Sequence, residues 1–205
     1  APAWENVPPH TIDDLTDAKS GGTDFGSSLI IGHQTTGTLD AASYNTAVGY
    51  LAMDAITTGD YNTAVGYNTI SVLTTGLRNS VFGAASMALN TTGSYNTAVG
   101  YEALTTNFEG GNIVAIGRQA LKVTTGSNNI GIGYQAGQSL TSGTYNILIG
   151  RDAGQSGITL DGCVLIGDYT QTSASDSGKQ LVLGYNCTGT SNNAFTFGNA
   201  GLDSN

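Results

Sequence analysis

Few side chains in this sequence are of the kinds that make or break bonds. The two histidines, His10 and His33, stand apart from any repeated acid or serine. Four acids, Asp152, Asp161, Asp168 and Asp176, cluster loosely in the C-terminal third. Glycoside hydrolysis works through a pair of carboxyl groups, so this cluster is where a glycan-degrading activity would sit; the reading adopted is that these are solvated turn acids. Cys163 and Cys187 fit no metal-ligand spacing, and the GGxGxD nonapeptides of calcium-binding solenoids do not occur. The expectation is therefore no catalytic residue, no metal and no cofactor. What recurs is aromatic. Nine of the ten tyrosines fall at two spacings, Tyr44, Tyr61, Tyr95 and Tyr145 at one, and Tyr50, Tyr67, Tyr101, Tyr134 and Tyr185 at the other. Tyrosine gives a large contact area and a polar tip at low entropic cost. The candidate roles are contact with a surface glycan or protein receptor, or packing between chains.

Those spacings belong to a repeat that decides the fold. A glycine follows an apolar triplet at Gly32, Gly49, Gly66, Gly83, Gly100, Gly117, Gly133, Gly150, Gly167, Gly184 and Gly198, in steps of 17 residues apart from one of 16 and a last one of 14. A second glycine lies seven residues before it at Gly59, Gly76, Gly93, Gly110, Gly126 and Gly143, often after Thr-Thr. The 16-residue step is shortened between Gly117 and Gly126, in the connecting arc, which leaves the strand whole. Seventeen residues is too short for a βαβ unit and suits one turn of a narrow parallel β-coil. About ten coils at the strand spacing make a rod roughly 45–50 Å long. The spine glycine marks a sharp turn that favours positive φ. Asn45, Asn62, Asn79, Asn96, Asn129 and Asn146, four before it, are placed to form a hydrogen-bonded column.

Alternation along a strand puts residues one and three before the spine glycine on the same face. The first column is Ile31, Val48, Val65, Phe82, Val99, Ile116, Ile132, Ile149, Ile166, Leu183 and Phe197, large and apolar throughout; it is expected to be the coil core. The column between them is Ile30, Ala47, Ala64, Val81, Ala98, Ala115, Gly131, Leu148, Leu165, Val182 and Thr196, ten of the eleven apolar or glycine. A strand apolar on both faces is buried on both faces, and one coil has one inside. A second copy of the chain is the economical cover. The members Ala47, Ala64, Val81, Ala98, Ala115, Leu148, Leu165 and Val182 are expected to form the interface of a closed homo-oligomer.

The motif NTAVGY at Asn45–Tyr50, Asn62–Tyr67 and Asn96–Tyr101, with SNNIGIGY at Ser127–Tyr134, resembles the head repeat of trimeric autotransporter adhesins, the YadA-like head family. The resemblance covers about Ser27 to Asn199 and implies a left-handed β-roll that trimerises about the fibre axis. The longer repeat, with its TTG turns, is similar to repeats in phage tail fibres and spikes. Ile12–Gly22 looks like a connector of such fibres, and Phe197–Asn205 like the run before a C-terminal self-cleaving chaperone domain.

Charge limits the partners. The net charge is −9 with six Lys plus Arg, which argues against nucleic acid and anionic membranes as partners. No apolar run approaches the roughly 18 residues of a membrane span. Thr46, Thr63 and Thr97 align, but Ser80 and the aliphatic residues from Val114 onward break the flat threonine face an ice-binding rod would need. The reading is an all-β parallel solenoid forming a homotrimer: a lead segment 1–26, a solenoid 27–199 and a tail 200–205. Its expected role is a non-enzymatic fibre shaft or adhesin of a phage tail, placed on the virion, that positions or performs recognition of a host-surface glycan or protein receptor alongside other fibre proteins. The alternatives are the head of a bacterial surface adhesin and a glycan-degrading tail spike.

Overall fold

The computed structural model describes residues 18–20, 29–31 and 42–198. His10, His33, the first spine glycine Gly32, most of the lead segment and the tail 200–205 lie outside the described residues. Each repeat contributes one three-residue strand, and the lead segment adds one more, the first. They are β1 (Ala18–Ser20), β2 (Leu29–Ile31), β3 (Thr46–Val48), β4 (Thr63–Val65), β5 (Ser80–Phe82), β6 (Thr97–Val99), β7 (Val114–Ile116), β8 (Ile130–Ile132), β9 (Ile147–Ile149), β10 (Val164–Ile166), β11 (Leu181–Leu183) and β12 (Phe195–Phe197). They form one sheet in sequence order. From β2 to β12 every pairing is parallel, whereas β1 closes the N-terminal edge antiparallel to β2. This is the expected β-solenoid. Register carries like residues onto like, Ala47 on Ala64 and Val48 on Val65, and the shortened repeat keeps it, with Val114 paired to Ile130. Among the described residues no helix is long and apolar enough to cross a membrane.

The two strand faces are the reverse of the expectation. Ala47, Ala64, Val81, Ala98, Ala115, Leu148, Leu165 and Val182, expected at a subunit interface, are fully buried inside the coil. Ile31, Val48, Val65, Phe82, Ile116, Ile166 and Phe197, expected in the core, are exposed, and Val99, Ile132, Ile149 and Leu183 are half-exposed in the same outward column. The reason is the bore of the tube. Seventeen residues enclose a space a few side chains wide, and the opposite arc already fills much of it with Met53, Ile70, Met87, Leu104 and Leu121, all buried. Across from Met53, Ile70, Leu104 and Leu121 the strand presents alanine, and across from Met87 it presents Val81.

Size complementarity recurs along the bore. Ala47, Ala64, Ala98 and Ala115 share coils with Met53, Ile70, Leu104 and Leu121, while Leu148 shares a coil with Gly154. A Cβ on Gly154 would lie 3.0 Å from Leu148 Cδ2 and 3.1 Å from Leu165 Cδ1. One coil has glycine on both sides, Gly131 and Gly137, and its neighbours fill the gap. Leu121 lies against Gly131, and Leu148 and Leu121 both lie against Gly137. Close packing of this kind leaves no room for a change of one methylene group.

Two other columns hold the coils together. Asn45, Asn62, Asn79, Asn96, Asn129 and Asn146 are buried. In each link the backbone N–H of the next coil donates to the amide oxygen: Asn62 N to Asn45 Oδ1 at 2.8 Å and Asn79 N to Asn62 Oδ1 at 3.0 Å. The amide nitrogen donates to the carbonyl of the following turn, as Asn79 Nδ2 does to Gly93 O at 2.9 Å. The ladder thus satisfies backbone groups that a tight coil would otherwise bury unpaired. The spine glycines have φ between +119° and +139°, and a Cβ on Gly66 would lie 2.8 Å from the backbone of Gly83. Conformation and stacking both demand glycine there. In contrast to these satisfied groups, Asn90 is buried with neither Oδ1 nor Nδ2 hydrogen-bonded.

Candidate functional site

The inverted strand makes the outside of the sheet the feature with most to bind. The column one before the spine glycine and the column three before it both face outward. The second reads Thr46, Thr63, Ser80 and Thr97, then Val114, Ile130, Ile147, Val164, Leu181 and Phe195. The outer face is therefore half hydroxyl in the first coils and wholly apolar from β7 onward. Each column stands one strand spacing from coil to coil, about 4.8 Å, so the side chains form an unbroken ridge.

The tyrosine columns border this face on both sides. The leading column, five before the spine glycine, occupies a left-handed corner: Tyr44, Tyr61, Tyr95 and Tyr145 have φ of 61°, 59°, 61° and 58°. A side chain there costs about 1–2 kcal/mol, offset in part by stacking on the neighbouring coils. The rings of Tyr44 and Tyr61 stack at 4.7 Å with planes 11° apart, and those of Tyr50 and Tyr67 at 6.0 Å and 8°. In three of the coils where a tyrosine is missing, an arginine takes its place. Arg78 lies 5.2 Å from the Tyr61 ring and 5.5 Å from the Tyr95 ring, and its Nη1 donates to the Tyr95 hydroxyl at 2.9 Å. Arg118 bridges Tyr101 and Tyr134 in the same way at 6.0 and 5.4 Å. Arg151 sits 4.5 Å over Tyr169 and pairs with Asp168 at 3.5 Å. Tyr185 meets Tyr169 edge-on at 6.2 Å.

The arginines escaped the sequence reading, although their register gives them away. Arg78 is five before Gly83, and Arg118 and Arg151 directly follow Gly117 and Gly150. The pairing matters for function. A ring face already covered by another ring or a guanidinium cannot stack on a sugar, and Tyr61, between Tyr44 and Arg78, is covered on both sides.

The acids are scattered by the same register. Asp152, two after its spine glycine, is buried and accepts from Gln155 Nε2 at 3.1 Å. Asp168 directly follows Gly167 and is held by Arg151, whose backbone N–H donates to it at 2.9 Å. Asp161 is six before the spine glycine, exposed, and accepts from the Thr144 hydroxyl; Asp176 is exposed eight before. The four occupy four different columns of the coil.

A polar ladder does form where none was expected, two after the spine glycine. Gln119 Nε2 and Lys122 Nζ donate to Glu102 Oε2 at 2.8 and 2.7 Å, and Gln135 Nε2 to Gln119 Oε1 at 2.8 Å. Hydrogen bonds from Gln119 and Lys122 hold the Glu102 carboxyl down at about 2. Both cysteines are buried and neither forms a disulfide. Cys163 takes a place in the asparagine column, where its N–H donates to Asn146 Oδ1 at 2.9 Å, and burial pushes its thiol upward. Among the described residues no three of His, Cys, Asp and Glu are grouped to hold a metal ion. Compared with known proteins, the chain matches no family model, no curated protein and no solved structure.

Proposed function

We infer that the chain is a structural and binding rod that assembles with copies of itself, as the shaft of a fibre or spike that positions or performs recognition of a host-surface glycan. The observation that carries this reading is the outward ridge of Val48, Val65, Phe82, Ile116, Ile166 and their column neighbours, exposed or half-exposed along the described sheet. Monomers avoid a continuous apolar stripe of that extent. The requirement for a second cover survives the reversal of the strand; what changes is which column is covered. An identical rod in the same direction repeats its ridge at the same spacing, so ridges can interdigitate coil by coil. The resemblance to trimeric adhesin heads and phage tail fibres supports three chains, a virion or cell-surface setting and a non-enzymatic role.

The mass of the particle in solution tests the reading. Wild-type protein is expected to run as a closed trimer. Ile116→Glu places a charge on the ridge and should lower the mass while each chain keeps its β-sheet circular dichroism. Ala115→Glu, next to it, forces a carboxylate into the packed bore and should unfold the coil. A wild-type monomer at tens of micromolar would refute the assembly.

A further inference from the structure

Strands in this rod lie across its axis, one to a coil. In a closed ring of parallel rods the strands therefore run head to tail. The leading column of one chain, five before the spine glycine, meets the trailing column of the next, directly after it. A ring has rotation but no translation along its axis, so each coil faces the same coil of its neighbour. Residues six apart in sequence thus become a contact between chains. Within a chain they stand apart, across up to about 20 Å of near-extended backbone, and every ring and cation contact of the two columns stays on one side of the sheet.

These pairs are matched coil by coil. Arg78 leads the coil that Ala84 trails, and Ala84 is the small residue of a column made, in the other described coils, of tyrosine, arginine and aspartate. Nothing in its own chain calls for alanine there. Tyr67 and Tyr101 flank it as Tyr101 and Tyr134 flank Arg118, so an arginine would stack in the same way. Tyr145, at 66% the most exposed tyrosine, has no ring or cation over it among the described residues, and Arg151 trails its coil. Among the described residues Asp168 is the one acid of the trailing column, in the coil that Gly162 leads. Lys179 overhangs Gly162, its Cγ 3.6 Å from where a Cβ would stand, and makes no ion pair with any described residue of its own chain. Nor does any described coil carry a cation in both columns.

We propose that the two columns are the halves of one seam between identical chains, closed coil on coil. Arg78 lies over Ala84 of the next chain, and Tyr145 stacks on the next chain's Arg151. Lys179 crosses the Gly162 gap to the next chain's Asp168, whose carboxylate has capacity beyond its bonds to Arg151. The partner is a second copy because the large-on-small and cation-on-anion matches lie between columns of this same chain. The seam rests on the reading that the rod assembles with itself, and it gives that assembly a register and its contact residues.

Exchange across the seam tests it. Ala84→Arg sets two guanidinium groups against each other between chains. It should raise the concentration at which the assembly half-dissociates, read by sedimentation, at least tenfold, with the β-sheet circular dichroism unchanged. Arg78→Ala/Ala84→Arg moves the arginine to the other side of the same contact and should return to within about threefold of wild type. Such a rescue has no route within one chain, where the two positions never meet. As a second measure, Tyr145→Cys/Arg151→Cys oxidised with diamide should yield disulfide-linked chains at least tenfold more than Tyr145→Cys/Arg118→Cys, whose positions lie two coils, about 10 Å, out of level. An assembly that Ala84→Arg leaves unchanged, or one in which the same-coil cysteines link no better than the offset pair, would overturn the seam and leave self-assembly standing. A wild-type monomer would overturn both.

Discussion

The orientation of the strands can be tested through Leu148 and Gly154, which face each other in the bore. Leu148 is fully buried, and truncating such a leucine to alanine costs about 4 kcal/mol where the surroundings cannot collapse. They cannot here, because the neighbouring coils fix the backbone on both sides. Gly154→Leu alone should overpack by about 1–3 kcal/mol, since its new side chain meets Leu148 Cδ2 and Leu165 Cδ1. The positive φ of 63° at Gly154 is no bar, because Leu104 and Leu121 hold the same corner at 55° and 47°. The double variant Leu148→Ala/Gly154→Leu rebuilds the arrangement of Ala98 with Leu104. Additive effects would total roughly 5–7 kcal/mol; size exchange should bring the double variant back to about 2–3, a coupling of at least about 2 kcal/mol. Thermal unfolding at fixed chain concentration reads this as about 2–4 °C per kcal/mol for a chain of this size. The double variant should therefore melt above Leu148→Ala. Additivity within about 0.5 kcal/mol, or a Leu148→Ala variant as stable as wild type, would place Leu148 outside and remove the physical basis of the apolar ridge.

Two further outcomes follow from the ladders. Asn79→Ala strands the Asn96 N–H and the Gly93 carbonyl, which its amide serves at 3.0 and 2.9 Å; at about 1–3 kcal/mol for each buried group left unpaired, the loss should be several kcal/mol, and hydrogen exchange should show the Asn96 amide deprotected first. Glu102 is held at about 2 against an ordinary value of 4.5. A depressed carboxyl contributes stability that is complete above the unfolded value and lost as pH falls from 4.5 towards 2. Glu102→Gln should flatten the acid limb of the melting curve over that window, and an unchanged slope would refute its role.

Much of the candidate site was legible in the residue spacing, and the misses have physical causes. The tyrosine columns stand where the period put them, bordering the strand. The arginines interleaved with them were overlooked because they differ in type while sharing register; a guanidinium stacks on a phenol ring much as another ring would. The polar ladder through Glu102, Gln119 and Gln135 gave no signal, since isolated amides at one position in each coil look like ordinary surface residues until stacking brings them within hydrogen-bond reach.

The sequence by itself determined the period, the position of each strand, the need for glycine on the spine and the asparagine column, because each of these depends on local backbone geometry repeated along the chain. Alternation also determined which side chains share a face. It could not say which face turns inward: a pattern of period two looks the same after inside and outside are exchanged, and both faces here are apolar. The closed coil decided that. Its bore is narrow and already occupied by Met53, Ile70, Leu104 and Leu121 from the far side, so in those coils alanine goes in and valine or isoleucine goes out.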